Sequence, residues 1–279
     1  MFAIAKSVGF AAVAATSMNV AVAAPTFTVD PSVFGAPLVP GLGAAPFQAD
    51  AMGTSGNTRA TLSAAFGSAA GSVTGVGYLS FDTFKLNGNT VGVGTSGLGI
   101  NYRFWAEFSF TMNLVAGTLG NVGSDYILTS TTLTMYGEQL DCFGPCAADS
   151  TFNSGNTAVN PTVAHSADTL TLGTGTLLFG AAGINLAGGS SFNPTMLFSL
   201  VAPNGPNFFT APDPFFPLAF ASQTNDAAQI TRNLGTKEMH LATGGTAAFA
   251  NRVPEPMTLA LVGLALVGAG VASRRQLRK

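Results

Sequence analysis

The sequence predicts an all-β domain of sandwich or jelly-roll type, and three observations carry that expectation. Only 9% of the 279 residues are charged while 47% are hydrophobic, too apolar a balance for a disordered chain. Gly contributes 34 residues and Pro 15, alongside abundant Thr, Ser and Asn, a composition foreign to helical bundles. Finally, several runs place apolar residues at every second position, and no convincing 3.6-residue repeat competes with them.

The chain opens MFAIAKSVGFAAVAATSMNVAVAAPTFTV. Lys6 and the α-amine form a positive region, Val8 to Ala15 an apolar one, and Ala21-Val22-Ala23 a small-x-small site before Ala24. That order is the one of a secretory signal peptide over residues 1–23, so the mature chain is expected to begin at Ala24 in an oxidising compartment.

One β-rich domain is expected over 24–252. Leu79 to Leu86 and the run from Thr90 flank Asn87-Gly88, whose tolerance of positive φ suits a two-residue hairpin. In INYRFWAEFSFTMNLVA the even positions Tyr102, Phe104, Ala106, Phe108, Phe110, Met112 and Leu114 are apolar or nearly so. The odd positions Asn101, Arg103, Glu107, Ser109, Thr111 and Asn113 are polar, with Trp105 the exception, which reads as a strand with one wet face. DYILTSTTLTMYG, TLTLGTGTLLF and TMLFSLVA add strands bounded by Gly, Asn and Pro. Pro203 to Phe220 alternates five prolines with five phenylalanines. It reads either as a loop laying aromatics over a sheet edge or as an exposed sticky patch, and it marks a candidate break in the domain.

Charge excludes one class of partner. Residues 24–252 hold six Lys/Arg against twelve Asp/Glu, a net of −6, and such a body lacks the basic surface that phosphate attachment needs. No nucleic acid is expected.

Signals for chemistry are sparse. Gly92, Gly94 and Gly97 satisfy GxGxxG, but the strand from Asn101 follows where a dinucleotide fingerprint needs a helix, so a turn between strands is expected. Cys142 and Cys146 in CFGPC are the only cysteines and are expected to form a small-loop disulfide. With only His165 and His240 to add, no metal site is expected, and both histidines read as surface or hydrogen-bonded residues. No cofactor motif and no GxSxG or HExxH string occurs. Glu107 and Glu138, on or next to expected strands, are the first suspects for a glycosidase carboxylate pair. Trp105 and Tyr102 are the candidate sugar platforms, in a chain with one Trp and four Tyr beside 22 Phe.

The C-terminus is VPEPMTLALVGLALVGAGVASRRQLRK, from Val253 to Lys279. Pro254 and Pro256 hold Glu255 on a stiff, extended stalk. Met257 to Ser273 is an uncharged run of 17 residues, ~25 Å as a helix, at the short limit for one transmembrane helix. Arg274, Arg275, Arg278 and Lys279 form a basic stop that the positive-inside rule keeps in the cytoplasm, leaving the body outside.

This order of Pro-Glu-Pro, short span and Arg-Arg over 253–279 resembles the PEP-CTERM sorting signal of exported bacterial proteins. The resemblance implies processing by an exosortase, a membrane enzyme similar to cysteine transpeptidases. It implies an inner-membrane intermediate and then release to the surface or exopolysaccharide matrix of a Gram-negative cell. PTFTVDPSVFGAPLVPGLGAAPFQADAMGTSG, from Pro25 to Gly56, is similar to the mature start of the flocculation-associated branch of that family. The function so implied is non-enzymatic cell aggregation, or biofilm matrix assembly with exopolysaccharide. A carbohydrate-binding module of the matrix and a secreted glycan hydrolase are the alternatives.

Overall fold

The alternating runs fold as strands, and the strands close on themselves. The computed structural model of the chain describes residues 25–43, 45–141 and 149–251. The signal-peptide site at Ala21, Ala23 and Ala24, the Cys142/Cys146 pair, Pro254-Glu255-Pro256, the expected membrane segment 257–273 and the basic stop all lie outside the described residues. Among the described residues no helix is long and apolar enough to cross a membrane.

In chain order the first strands are β1 (Phe27–Val29), β2 (Phe47–Ala49), β3 (Ala51–Leu62), β4 (Ser72–Leu86) and β5 (Asn89–Val91). A single helical turn, α1 (Val93–Ser96), leads to β6 (Tyr102–Ala116), β7 (Ser124–Gln139), β8 (Thr151–Asn153) and β9 (Thr162–Ala164). Then come β10 (Leu170–Ile184), β11 (Ser190–Leu200), helix α2 (Asn204–Phe208), β12 (Phe209–Ala211), β13 (Leu218–Thr224), β14 (Ile230–Asn233) and β15 (Glu238–Ala250).

Eight of these, β3-β4-β6-β7-β10-β11-β13-β15, are hydrogen-bonded in that order, every pair antiparallel. β15 pairs with both β13 and β3, so the sheet has no free edge along this path. The protein is therefore an eight-stranded up-and-down barrel, in which the expected two-layer sandwich is replaced by one closed layer. The all-β class stands. Closure has a local cause: bulges at Gly53/Thr54, Thr111/Met112, Leu114/Ala116, Thr171/Gly173 and Leu177/Phe179 bend the long strands that a flat sandwich sheet would keep straight.

Strand by strand the period of two sorts side chains into barrel and exterior. Phe104, Ala106, Phe110 and Met112 of β6 point inward and are buried, as the alternation requires. Glycines make room for the largest rings. A Cβ on Gly75 would stand 2.4 Å from Phe110 Cζ, and one on Gly77 2.9 Å from Phe108 Cζ. The hairpin forms at Asn87-Gly88 as expected, with φ of 53° and 78° and Leu86 facing Asn89. The GxGxxG string is α1 itself, closed by Gly97 at φ 69°, and β6 follows it.

One end of the barrel is plugged by aromatics. β1, β2 and β12 make a small antiparallel sheet across it, and Phe27, Phe47, Phe84, Phe208, Phe209 and Phe249 bury there together. The Pro/Phe stretch supplies much of this plug. Phe208, Phe209 and Phe216 are buried in it, so its rings cap the barrel and make no exposed patch, and the chain continues through it into β13 without a domain break. Tyr102 is in the plug too, stacked on Phe34 at 5.1 Å.

Candidate functional site

Two places deserve comparison as sites: the barrel interior and one outer wall. The interior void measures about 70 Å³ and is lined by Leu79, Phe108, Phe110, Met112, Phe192 and Met196 among others, with no charged residue. Its walls are mostly apolar, its polar lining is limited to hydroxyls such as those of Tyr126, Ser190 and Ser191 and the Gln223 amide, and it holds no carboxylate, imidazole, amine or thiol.

The outer wall over β3, β4, β6, β7 and β15 is different in kind. In-register rows cross it: Arg103 beside Glu138; Ser80, Trp105 and Tyr136; Asn57, Tyr78, Glu107 and Thr134; His240, Arg59, Val76, Ser109 and Thr132. All three ion pairs found among the described residues lie here: Arg59 with Glu238, Arg103 with Glu138, and His165 with Glu107. In a chain with so few charges, the ion pairs among the described residues thus fall on one face.

Over this wall runs a strap, residues 149–169, whose middle is the β8–β9 hairpin. Phe152 of the strap stands edge-on to Trp105 at 5.4 Å and to Tyr78 at 5.2 Å, with the Arg103 guanidinium 5.0 Å from its centroid. His165 fits between Trp105 and Tyr136, at 5.6 and 4.4 Å. Trp105 thus sits on the outward face of β6, between outward Arg103 and Glu107, and is nevertheless 0% exposed. This resolves the one exception in the alternation: a second, small aromatic layer covers it. Its indole N–H donates to Glu107 Oε1 at 3.1 Å.

Glu138 anchors the strap's root. It is fully buried, and accepts from the Arg103 guanidinium, the Ser150 amide and the hydroxyls of Ser150, Ser166 and Thr169. Burial by itself raises this carboxyl, but the hydrogen bonds from Ser150, Ser166 and Arg103 and the Arg103 charge outweigh it and hold Glu138 below its ordinary value. Further along, Arg59 donates to Thr157 O at 3.3 Å and to Asn160 Oδ1 at 2.7 Å, and His240 Nε2–H donates to Ser154 O at 2.6 Å. His240 on the wall and His165 in the strap are therefore both hydrogen-bonded.

The suspected carboxylate pair does not assemble. Glu138 faces Arg103 and Glu107 faces Thr134, four residues apart along the ladder, or ~13 Å of strand. Each of the two also has its own partner, His165 for Glu107 and Arg103 for Glu138. Of the two suggested sugar platforms, Tyr102 is inside the plug, its hydroxyl without a partner and its pKa pushed well above the ordinary value by burial, and only Trp105 faces outward. No cluster of three or more His, Cys, Asp or Glu suited to a metal ion occurs among the described residues.

Beside the strap the wall is open. Two shallow grooves of about 380 and 260 Å³ share Val76 and Ser109 and are lined by Thr61, Thr74, Thr111, Thr132 and Thr134. Arg59 and Asn160 stand in the first and Glu107 and Pro161 in the second. Sequence reading missed Ser150, Ser166, Thr169 and the whole strap. Its only local signal was DSTFNSGNTAVNPTVAHSADT, a polar loop-like string that gives no hint of the wall it covers. Comparison of the chain with protein-family models, with characterised proteins and with solved structures finds no match to any of the three.

Proposed function

We propose that the protein is an exported, non-enzymatic surface or matrix protein that promotes cell aggregation and matrix assembly together with exopolysaccharide. In this reading 1–23 is a signal peptide, 253–279 is a PEP-CTERM-like signal removed by an exosortase, and the barrel is the part that reaches the matrix. The observation that carries it is the ordered tail: Pro254-Glu255-Pro256, then 17 uncharged residues, then Arg274 and Arg275.

The barrel geometry is compatible with such a tail. β1 and β15, the first and last strands, meet in the plug, where the rings of Phe27 and Phe249 are 5.3 Å apart. The described chain ends at Asn251, just after β15 leaves Phe249 in the plug. The hydrolase alternative draws no support from Glu107 and Glu138, which stand in separate networks.

Changing Glu255→Ala tests the sorting step. Uncleaved protein should accumulate in the inner membrane while the wild type is released. Release of the variant at the wild-type level would remove the tripeptide, and with it the sorting reading.

A further inference from the structure

We propose that the outer wall beneath the strap is a polysaccharide-binding site, and that the β8–β9 hairpin occupies it in the free protein. The choice of polysaccharide as partner rests on the matrix function proposed above; the site itself rests on four features of the wall.

The first is convergence. Trp105, Tyr136 and Tyr78 are three of the five Trp and Tyr residues in the chain, and all three project from neighbouring strands onto this one wall. Flat rings edged by hydrogen-bonding groups match a sugar, which presents an apolar C–H face and a rim of hydroxyls. The edging groups are present: Glu107 next to Trp105, Asn57 donating to the Tyr78 hydroxyl at 3.1 Å, and Arg59 one row further.

The second is continuity. The open grooves, rich in threonine and serine hydroxyls, run up to the strap, and Asn160 and Pro161 of the strap form part of their lining. An oligosaccharide lying in them reaches Glu107 and, with the hairpin displaced, the rings behind it. The groove lining is mostly threonine and serine hydroxyls beside Arg59, Asn160 and Glu107, groups that pair with the hydroxyls of a sugar chain.

The third is the slightness of the cover. The hairpin has three register pairs, and four of its six strand residues are exposed. Phe152 provides its aromatic grip and buried Pro161 a small apolar contact, and the other contacts are polar ones to Arg59 and His240 that a ligand's hydroxyls can replace. The fourth is its separability. Thr151 and Ala164 face each other in register, and the Glu138 anchor lies outside the hairpin, at Ser150, Ser166 and Thr169.

Excising 152–163, joining Thr151 to Ala164 through Asn-Gly and changing His165→Ala therefore removes both rings that cover Trp105 and keeps the root at Ser150, Ser166 and Thr169. The protein is purified from its own producing cells, and the probe is a size-fractionated oligosaccharide pool cut from those cells' exopolysaccharide. Trp105, as the only tryptophan, reports both steps by fluorescence. Acrylamide should quench it in the excised protein and hardly at all in the intact one. The excised protein should bind the oligosaccharides at least ten-fold more tightly, with a Trp105 emission shift, and Trp105→Ala in that background should abolish binding. Phe152→Ser in the intact chain should act in the same direction with a smaller gain, which keeps the test open if the excised chain fails to fold. An excised or Phe152→Ser protein that is folded and quenchable yet binds no better than the intact chain would overturn the proposal. So would a Trp105 that stays shielded without the hairpin. Correct sorting of a protein that fails this test would leave the matrix reading intact and remove the site; binding by a chain that is never sorted would do the reverse.

Discussion

At the scale of single residues, Glu138 carries the strap's attachment, and its protonation state is the measurable handle. Its carboxyl titrates below its ordinary value of 4.5 in the folded protein, so the unfolded chain takes up that proton first as pH falls. The stabilisation is complete above about pH 4.5 and is lost as pH drops through the lower folded value. Glu138→Gln should cost about 2–3 kcal/mol at neutral pH, less than the ~3–5 of a fully buried pair because Arg103 keeps part of its side chain in water. Urea titrations at pH 7 and at pH 3 check this: the gap between wild type and variant should narrow markedly at the lower pH. A gap independent of pH would mean that the Glu138 charge contributes nothing to the anchor. Trp105 shows how far sequence reaches at this scale. The alternation in INYRFWAEFSF marks it as an outward position, yet its cover arrives from Phe152 and His165, 47 and 60 residues later, which no local pattern announces.

At the scale of elements, the long strands and the Asn87-Gly88 hairpin were legible because a period of two and a positive-φ turn are written into consecutive residues. The closing seam was not, because β15 meets β3 some 190 residues away in sequence. One detail of that seam is specific. Gly245 lies in register between Thr54 of β3 and Gln223 of β13, and without a side chain it lets Gln223 Nε2 reach Thr54 Oγ1 at 2.8 Å inside the barrel. A Cβ there would stand 2.0 Å from the Ser222 carbonyl oxygen. Gly245→Ala should therefore destabilise the fold by about 1–3 kcal/mol through overpacking, and more if the buried Gln223–Thr54 pair separates. Chemical denaturation measures it, and an unchanged midpoint would show that the seam yields without cost. The β8–β9 hairpin was illegible for a different reason: three-residue strands of Thr, Phe, Asn, Val and Ala are too short for any period to show.

At the scale of the whole molecule, the distinction between sandwich and barrel depends on whether the last strand finds the first, a global property that strand patterns leave open. The structure closes the meander, plugs one end with phenylalanines and gathers the ion pairs on one wall. The functional proposal joins that barrel to two terminal segments read from sequence, and the join is what most needs testing. Intact-mass measurement of the protein recovered from the extracellular matrix of its own cells does so most directly. The account expects a mass lacking residues 1–23 and the segment beyond Pro256, with any excess reporting an attached group. A mass that still contains Met257 to Lys279 would mean a tail-anchored membrane protein and would contradict the sorting account.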